Sequence, residues 1–172
     1  MSTLAVDKAT NLAGTQYYSL MFLATSKSAT GTSVDFAGIP SGVKRMTVIL
    51  NDVSSSGSSI FLIRLGPSGS YATTGYVGST GSSGGNSSVT TGFGLNRSVS
   101  GSDTTSGNLI IVNPTGNTWI ASGTFSRGGT ITSGAGSVTL SSVLSQIRLT
   151  TVNGTDTFDA GSINVLFEGY NV

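Results

Sequence analysis

The side chains that ordinarily do chemistry near neutral pH are almost absent from this chain. It has no histidine and no cysteine, so the common general base and the thiol nucleophile are both missing. Its one glutamate is Glu168, and the carboxylates closest in sequence are Asp156 and Asp159. A glycosidase needs two carboxylates facing each other across a cleft, whereas two Asp in one turn ordinarily bond nearby backbone N–H groups. With the Thr157 hydroxyl and local carbonyls, the same turn offers oxygen ligands to calcium. It lacks the ladder of Asp, Asn and Glu that a dedicated calcium loop carries. A polar turn is the expected reading, so no catalytic, cofactor or metal residue is assigned and no enzymatic activity is expected.

Two other sets of residues could recognise a partner. Lys44-Arg45 is the only basic doublet. On a regular strand its side chains point to opposite faces and form no joint patch, which leaves one solvated and the other free to pair with an Asp or reach a subunit contact. Tyr71, Tyr76, Trp119 and Tyr170 could stack on sugar rings, but aromatics also bring large area to a core. Trp119 alternates in phase with Ala121 and Gly123, so core packing is expected for it. The Asn-X-Ser/Thr triplets at Asn86, Asn96 and Asn153 follow from so much Ser and Thr and carry little meaning.

Short β-rich runs separated by Gly, Pro, Asn or Ser must position these residues. Strands are expected near 17–25, 31–37, 43–52, 59–65, 71–77, 88–95, 107–113, 117–126, 130–140, 146–152 and 162–170. This spacing predicts an all-β sandwich or barrel rather than βαβ units. Met46, Val48 and Leu50 alternate onto one face, as do Ile147 with Leu149 and Ile163 with Val165 and Phe167. Met46, Val48, Leu50, Trp119, Ile147, Leu149, Val165 and Phe167 are the expected core. Ile60-Phe61-Leu62-Ile63 is apolar on both sides, as in a strand covered on both faces. Asn153-Gly154 signals a hairpin turn, residues 78–88 read as a low-complexity loop, and 141–146 has room for one helical turn. Residues 1–16, with Leu4, Val6 and Leu12, precede the first convincing strand and read as an arm or an edge segment, leaving 17–172 as a single domain.

Composition narrows the function class. Of the 172 residues 9% are charged, against roughly 25% in typical soluble domains, while 37% are apolar. An ordered β-protein with a Ser, Thr and Gly surface fits these values better than disorder does. A net charge of +1 with no basic stripe argues against nucleic-acid binding, and weak repulsion between copies favours association. The first residues carry no basic region followed by an apolar core, and Leu20–Ala24 is far too short to span a bilayer. The expectation is a chain that stays in the cytoplasm in which it is made until assembly or lysis, with no membrane partner.

Two segments carry a resemblance. The first is Asp35-Phe36-Ala37-Gly38-Ile39-Pro40-Ser41-Gly42-Val43-Lys44-Arg45-Met46-Thr47-Val48. The second runs from Ile147-Arg148-Leu149-Thr150-Thr151 through Asn153-Gly154 to Ile163-Asn164-Val165-Leu166-Phe167-Glu168. Together they resemble a family of small β-domains of tailed-bacteriophage virions, tail-fibre-like or head-decoration proteins. The likeness extends more weakly over Tyr18 to Tyr170, and Ala37 stands where Thr is common in that family. The resemblance implies a two-sheet antiparallel jelly-roll-like sandwich and a homotrimer. It also implies a structural role in the virion among other capsid or tail proteins, after assembly in the host cytoplasm, and no binding residues carry over from it. The alternative is a receptor-binding tip that recognises a host-surface polysaccharide. The chain has neither heptads nor a β-helix repeat for a fibre shaft, which favours a compact knob.

Overall fold

Met46, Val48 and Leu50 are buried, and so are Phe167, Val165 and Ile163 directly opposite them. Two long antiparallel strands turn both sets to the same side, as the alternation requires. The computed structural model describes residues 8–10, 16–96 and 100–171. Among the described residues there are fourteen strands and no helix. They are β1 (Lys8–Thr10), β2 (Gln16–Leu23), β3 (Lys27–Ser28), β4 (Val34–Ala37), β5 (Val43–Ser55), β6 (Phe61–Gly66) and β7 (Val77–Ser82). Then come β8 (Gly85–Val89), β9 (Phe93–Gly94), β10 (Thr105–Thr115), β11 (Thr118–Arg127), β12 (Thr130–Thr139), β13 (Gln146–Thr151) and β14 (Phe158–Asn171).

A large sheet runs β1-β2-β14-β5-β10-β11-β12-β7-β8, with β3 also paired to β14, and a small one runs β4-β13-β6-β9. All the pairings are antiparallel. The inner faces meet in one core that holds Met46, Val48, Leu50, Trp119, Ile147, Leu149, Val165 and Phe167, all the residues expected there. The chain is an antiparallel β-sandwich. Its central order, β2-β14-β5-β10 facing β4-β13-β6-β9, is that of interleaved Greek keys, the jelly-roll-like arrangement. Strands β11 and β12 and the β7–β8 hairpin widen the large sheet beyond that frame.

Several local expectations give way. Residues 78–88 are a hairpin rather than a loop, with β7 paired to both β8 and β12. Strands of Ser and Gly show no apolar alternation, so backbone pairing alone defines them. Residues 71–76 are irregular rather than a strand, and β8 ends at Val89 before the two-residue β9. Asn153-Gly154 does turn, with Gly154 at φ 69, yet β13 and β14 lie in different sheets and the turn joins no hairpin. Asn153 Oδ1 accepts the N–H groups of Thr155 and Asp156, so the motif bends the chain across the sandwich. Residues 141–146 form no helical turn. Lys8–Thr10 pairs with β2 at the sheet edge, whereas the remainder of the 1–16 segment, Gln16 apart, including Leu4, Val6 and Leu12, lies outside the described residues.

Strand β6 shows how the short β9 is completed. Phe61, Leu62, Ile63 and Leu65 are all wholly buried, as expected of a strand covered on both faces. Strand β9 pairs only with Leu62 and Ile63, leaving polar groups of Phe61 and Leu65 to be satisfied otherwise. Phe61 N–H donates to Asn96 Oδ1 at 2.7 Å. Leu65 N–H donates to the Tyr76 hydroxyl at 2.8 Å, and Leu65 C=O accepts Ala72 N–H at 2.9 Å. Irregular residues 71–76 therefore do the work of a strand at that end of β6.

Tyr76 is buried edge-on to Phe93 with ring centroids 5.1 Å apart. Burial is the main cause that pushes its hydroxyl up from 10 to about 12. A raised folded value means that the contribution is complete below pH 10 and disappears as pH rises through about 12. Alkaline pH should therefore lower stability across that window by about 3 kcal/mol. Tyr76→Phe should remove that pH dependence and cost about 1–3 kcal/mol at neutral pH through the orphaned Leu65 N–H. Urea titrations at a series of pH values check both statements.

Candidate interaction surface

The candidate residues of the sequence do not converge. Asp156 Oδ2 accepts Ser59 N–H and its Oδ1 accepts the Asn153 side-chain amide at 2.6 Å. Asp159, on β14, instead accepts the Ser54 hydroxyl. Each carboxylate thus ties its own part of the β13–β14 crossing to the end of β5 or the residues after it. Among the described residues no group of three or more His, Cys, Asp or Glu stands together. Trp119 and Tyr76 are core residues. Asn96 is buried, while Asn86 and Asn153 are exposed.

Tyr71 belongs to an ionic cluster on the outer face of the small sheet. Asp35, Arg148 and Arg64 lie directly opposite one another across β4, β13 and β6. Arg148 grips Asp35 with two parallel contacts, Nε–Oδ1 and Nη2–Oδ2, each 2.6 Å. Its guanidinium lies 4.2 Å from the centroid of the Tyr71 ring. Hydrogen bonding to Asp35 is the main cause that holds Arg148 above its ordinary range, and burial, followed by the Asp35 charge, pushes Tyr71 up. Arg64 is drawn down chiefly by burial, and its Nε donates to Thr91 C=O at 2.8 Å. Two arginines side by side repel; Asp35 offsets that repulsion.

Lys44 and Arg45 break the expected alternation. Glu168 stands opposite Arg45 and Gly169 opposite Val43, which leaves Lys44 as an extra residue in a bulge. Both basic side chains are consequently exposed and line one shallow concavity with Glu168 and Tyr170. Lys44 also reaches the other side of the strand, where it lines a second concavity with Asn113, Trp119 and Leu144. Arg45 Nε pairs with Glu168 at 3.4 Å, and Lys44 Nζ donates to Asn113 Oδ1 at 2.9 Å.

Two features were not foreseen from the sequence. Arg127 is wholly buried, its guanidinium 4.5 Å from the centroid of the Phe61 ring and donating to Ser100 C=O at 3.1 Å. Inward alternation from Trp119 reaches Arg127 and was the available signal. The second is an open concavity of about 530 Å³ on the outer face of the large sheet. Asn86, Asn108, Ser122, Thr124 and Ser133 line it with amides and hydroxyls, without any charged side chain. Gly/Ser strands give no pattern from which this surface could be read.

No family model, curated protein or solved structure matches this chain. The resemblance carried by Asp35–Val48 and Ile147–Glu168 therefore stands on those residues. The fold brings the two together. Each segment is a crossing from the small sheet to the large one, β4 to β5 and β13 to β14, and the crossings pair with each other in both sheets.

About a third of the Asp35 and Arg148 side chains remains open to water, which screens the pair. A double-mutant cycle on Asp35→Ala and Arg148→Ala should give a coupling of about 0.5–1 kcal/mol in guanidinium-free urea titrations. Arg148→Ala alone should cost about 1–2 kcal/mol, because it also uncovers the Tyr71 ring. Arg148→Lys should recover less than half of that loss, since an ammonium cannot reproduce the two-pronged contact.

Proposed function

We propose that this chain is a non-enzymatic structural protein of a tailed-phage virion, an oligomeric β-knob mounted on the particle surface as a capsid decoration or fibre component. The observation that carries the reading is the pairing of the two family-like segments, since a shared strand-turn-strand pattern is meaningful when its halves form one structural unit. A trimer is the assembly that the resemblance supports. The nearly neutral surface is consistent with burial between copies, and residues 1–7 are the proposed attachment arm.

The alternative, a receptor-binding tip for a host polysaccharide, draws on the uncharged amide and hydroxyl lining of the large-sheet concavity. Against it, no aromatic side chain lines that concavity, and aromatic faces are the usual platform for sugar rings.

An antibody raised against the folded chain and used for gold labelling of purified particles should mark fixed positions on head or tail. Abundant chain in the unassembled fraction of the same lysate with none on particles would count against a virion role. Deleting residues 1–7, which leaves β1 in place, should give a folded protein that no longer joins particles. Incorporation at the full level would remove the arm from the proposal.

A further inference from the structure

The outer face of the large sheet carries most of the exposed bulky apolar side chains. Across neighbouring strands the register places Met21, Glu168, Arg45, Val112, Ile120, Ser137 and Val77 in one row. The next row holds Leu23, Leu166, Thr47, Ile110, Ser122, Ala135 and Ser79, and a third includes Ile49 between Asn164 and Asn108. Leu23 is 58% exposed, Ile120 50% and Val77 74%. A diagonal aliphatic stripe thus runs from Met21 and Leu23 through Leu166, Ile49 and Ile110 to Val112 and Ile120, and Val77 lies beyond Ser137. With strands about 4.8 Å apart the stripe is about 19 Å long from β2 to β11, and Val77 extends it to about 29 Å across the polar Ser137. Soluble monomers rarely leave so extended an apolar patch open.

We propose that this stripe is the surface through which copies of the chain associate, wrapped around a common symmetry axis. Three observations select another copy as the occupant. The three rows hold two charged side chains, Arg45 and Glu168, adjacent and of opposite sign, and the one further charge beside them, Lys44, has its Nζ on Asn113 Oδ1. Cyclic symmetry can therefore set Arg45 of each copy beside Glu168 of the next, whereas an ionic partner would need a face of one sign. The rows cover about 650 Å² of sheet plane, near the about 800 Å² that each partner contributes to a standard interface. The small sheet, by contrast, faces outward with Asp35, Arg148 and Arg64, as a solvent-facing side does.

The inference rests on the oligomeric part of the proposed function, and its test separates the two. Sedimentation of the full chain at micromolar concentration should give a multiple of the single-chain mass. Ile120→Asp and Leu23→Asp, at opposite ends of the stripe, should each weaken association at least about tenfold, because a carboxylate would be buried between copies. The near-ultraviolet signal of the buried Trp119 should stay unchanged and report that the fold persists. Ile120→Thr, which retains β-branching, provides a milder version should the Asp variant fail to fold. Val152→Asp, exposed beyond β13, should associate normally. An oligomer indifferent to all stripe variants overturns this face but leaves oligomerisation standing, and a monomeric parent overturns both. An oligomer of other than three chains that Ile120→Asp dissociates supports the face and overturns the trimer.

Discussion

The ladder between β5 and β14 is the constraint on which the rest of the molecule depends. Strand β14 is the last in the chain, yet it sits between β2 and β5 in the interior of the large sheet. Until it arrives, β2 and β1 have no sheet to extend and the buried side chains of β5 lack their neighbours. Strand β13 is placed by the same crossing, so β4 and β6 are joined only when the C-terminal segment docks. The β4–β13 and β5–β14 partners lie more than a hundred residues apart, and loop closure must precede any reward from these contacts. Asp35–Val48 and Ile147–Glu168, on which the proposed family reading rests, are the segments that close the fold. Strand-turn-strand likeness in such a place reports architecture before it reports function.

The ladder is also irregular where function has room to enter. Its register shifts near Ala160, where Gly161 approaches the backbone of Asn51 and Asp52 so closely that a Cβ would not fit, and Asp52 itself has φ 53. At the other end the Lys44 bulge exposes two cations on a neutral sheet. Bulges bend a strand and redirect its side chains. Here the bulge sets Lys44 and Arg45 beside Glu168 at the margin of the aliphatic face, next to Tyr170.

Strand positions with strong alternation were legible from the sequence, because burial on one face imposes a period of two on side-chain chemistry. Met46 to Leu50 and Ile163 to Phe167 are such cases, and their pairing partners are each other. Residues 77–89 were not legible. A Ser/Gly strand gives up side-chain pattern in exchange for close backbone approach, as at Gly78, where an added Cβ would meet the Ala135 carbonyl at 2.7 Å. Sheet assignment was hidden as well: Asn153-Gly154 announces a turn but says nothing of which sheet follows. Of the candidate surface, the residue types were visible and their neighbours were not. Arg148 lies between the alternating Ile147 and Leu149, while Asp35 and Tyr71 join it only through tertiary packing.

The two functional readings compete for one surface. The polar concavity and the rows that carry the aliphatic stripe share Asn108, Ile110, Ser122 and Ala135. If copies associate through the stripe, the concavity is narrowed or covered by a neighbouring chain, and a polysaccharide could enter only where the contact leaves the β7–β8 end open. An uncharged lining then has a different use, because amides and hydroxyls can hydrogen-bond across an interface at a lower desolvation cost than ions. A shaft-less knob that hides its neutral sheet inside an assembly would show solvent its Asp35–Arg148 face. That face carries a two-pronged, partly solvated ion pair, which on the proposed reading suits the outward side of a mounted structural part.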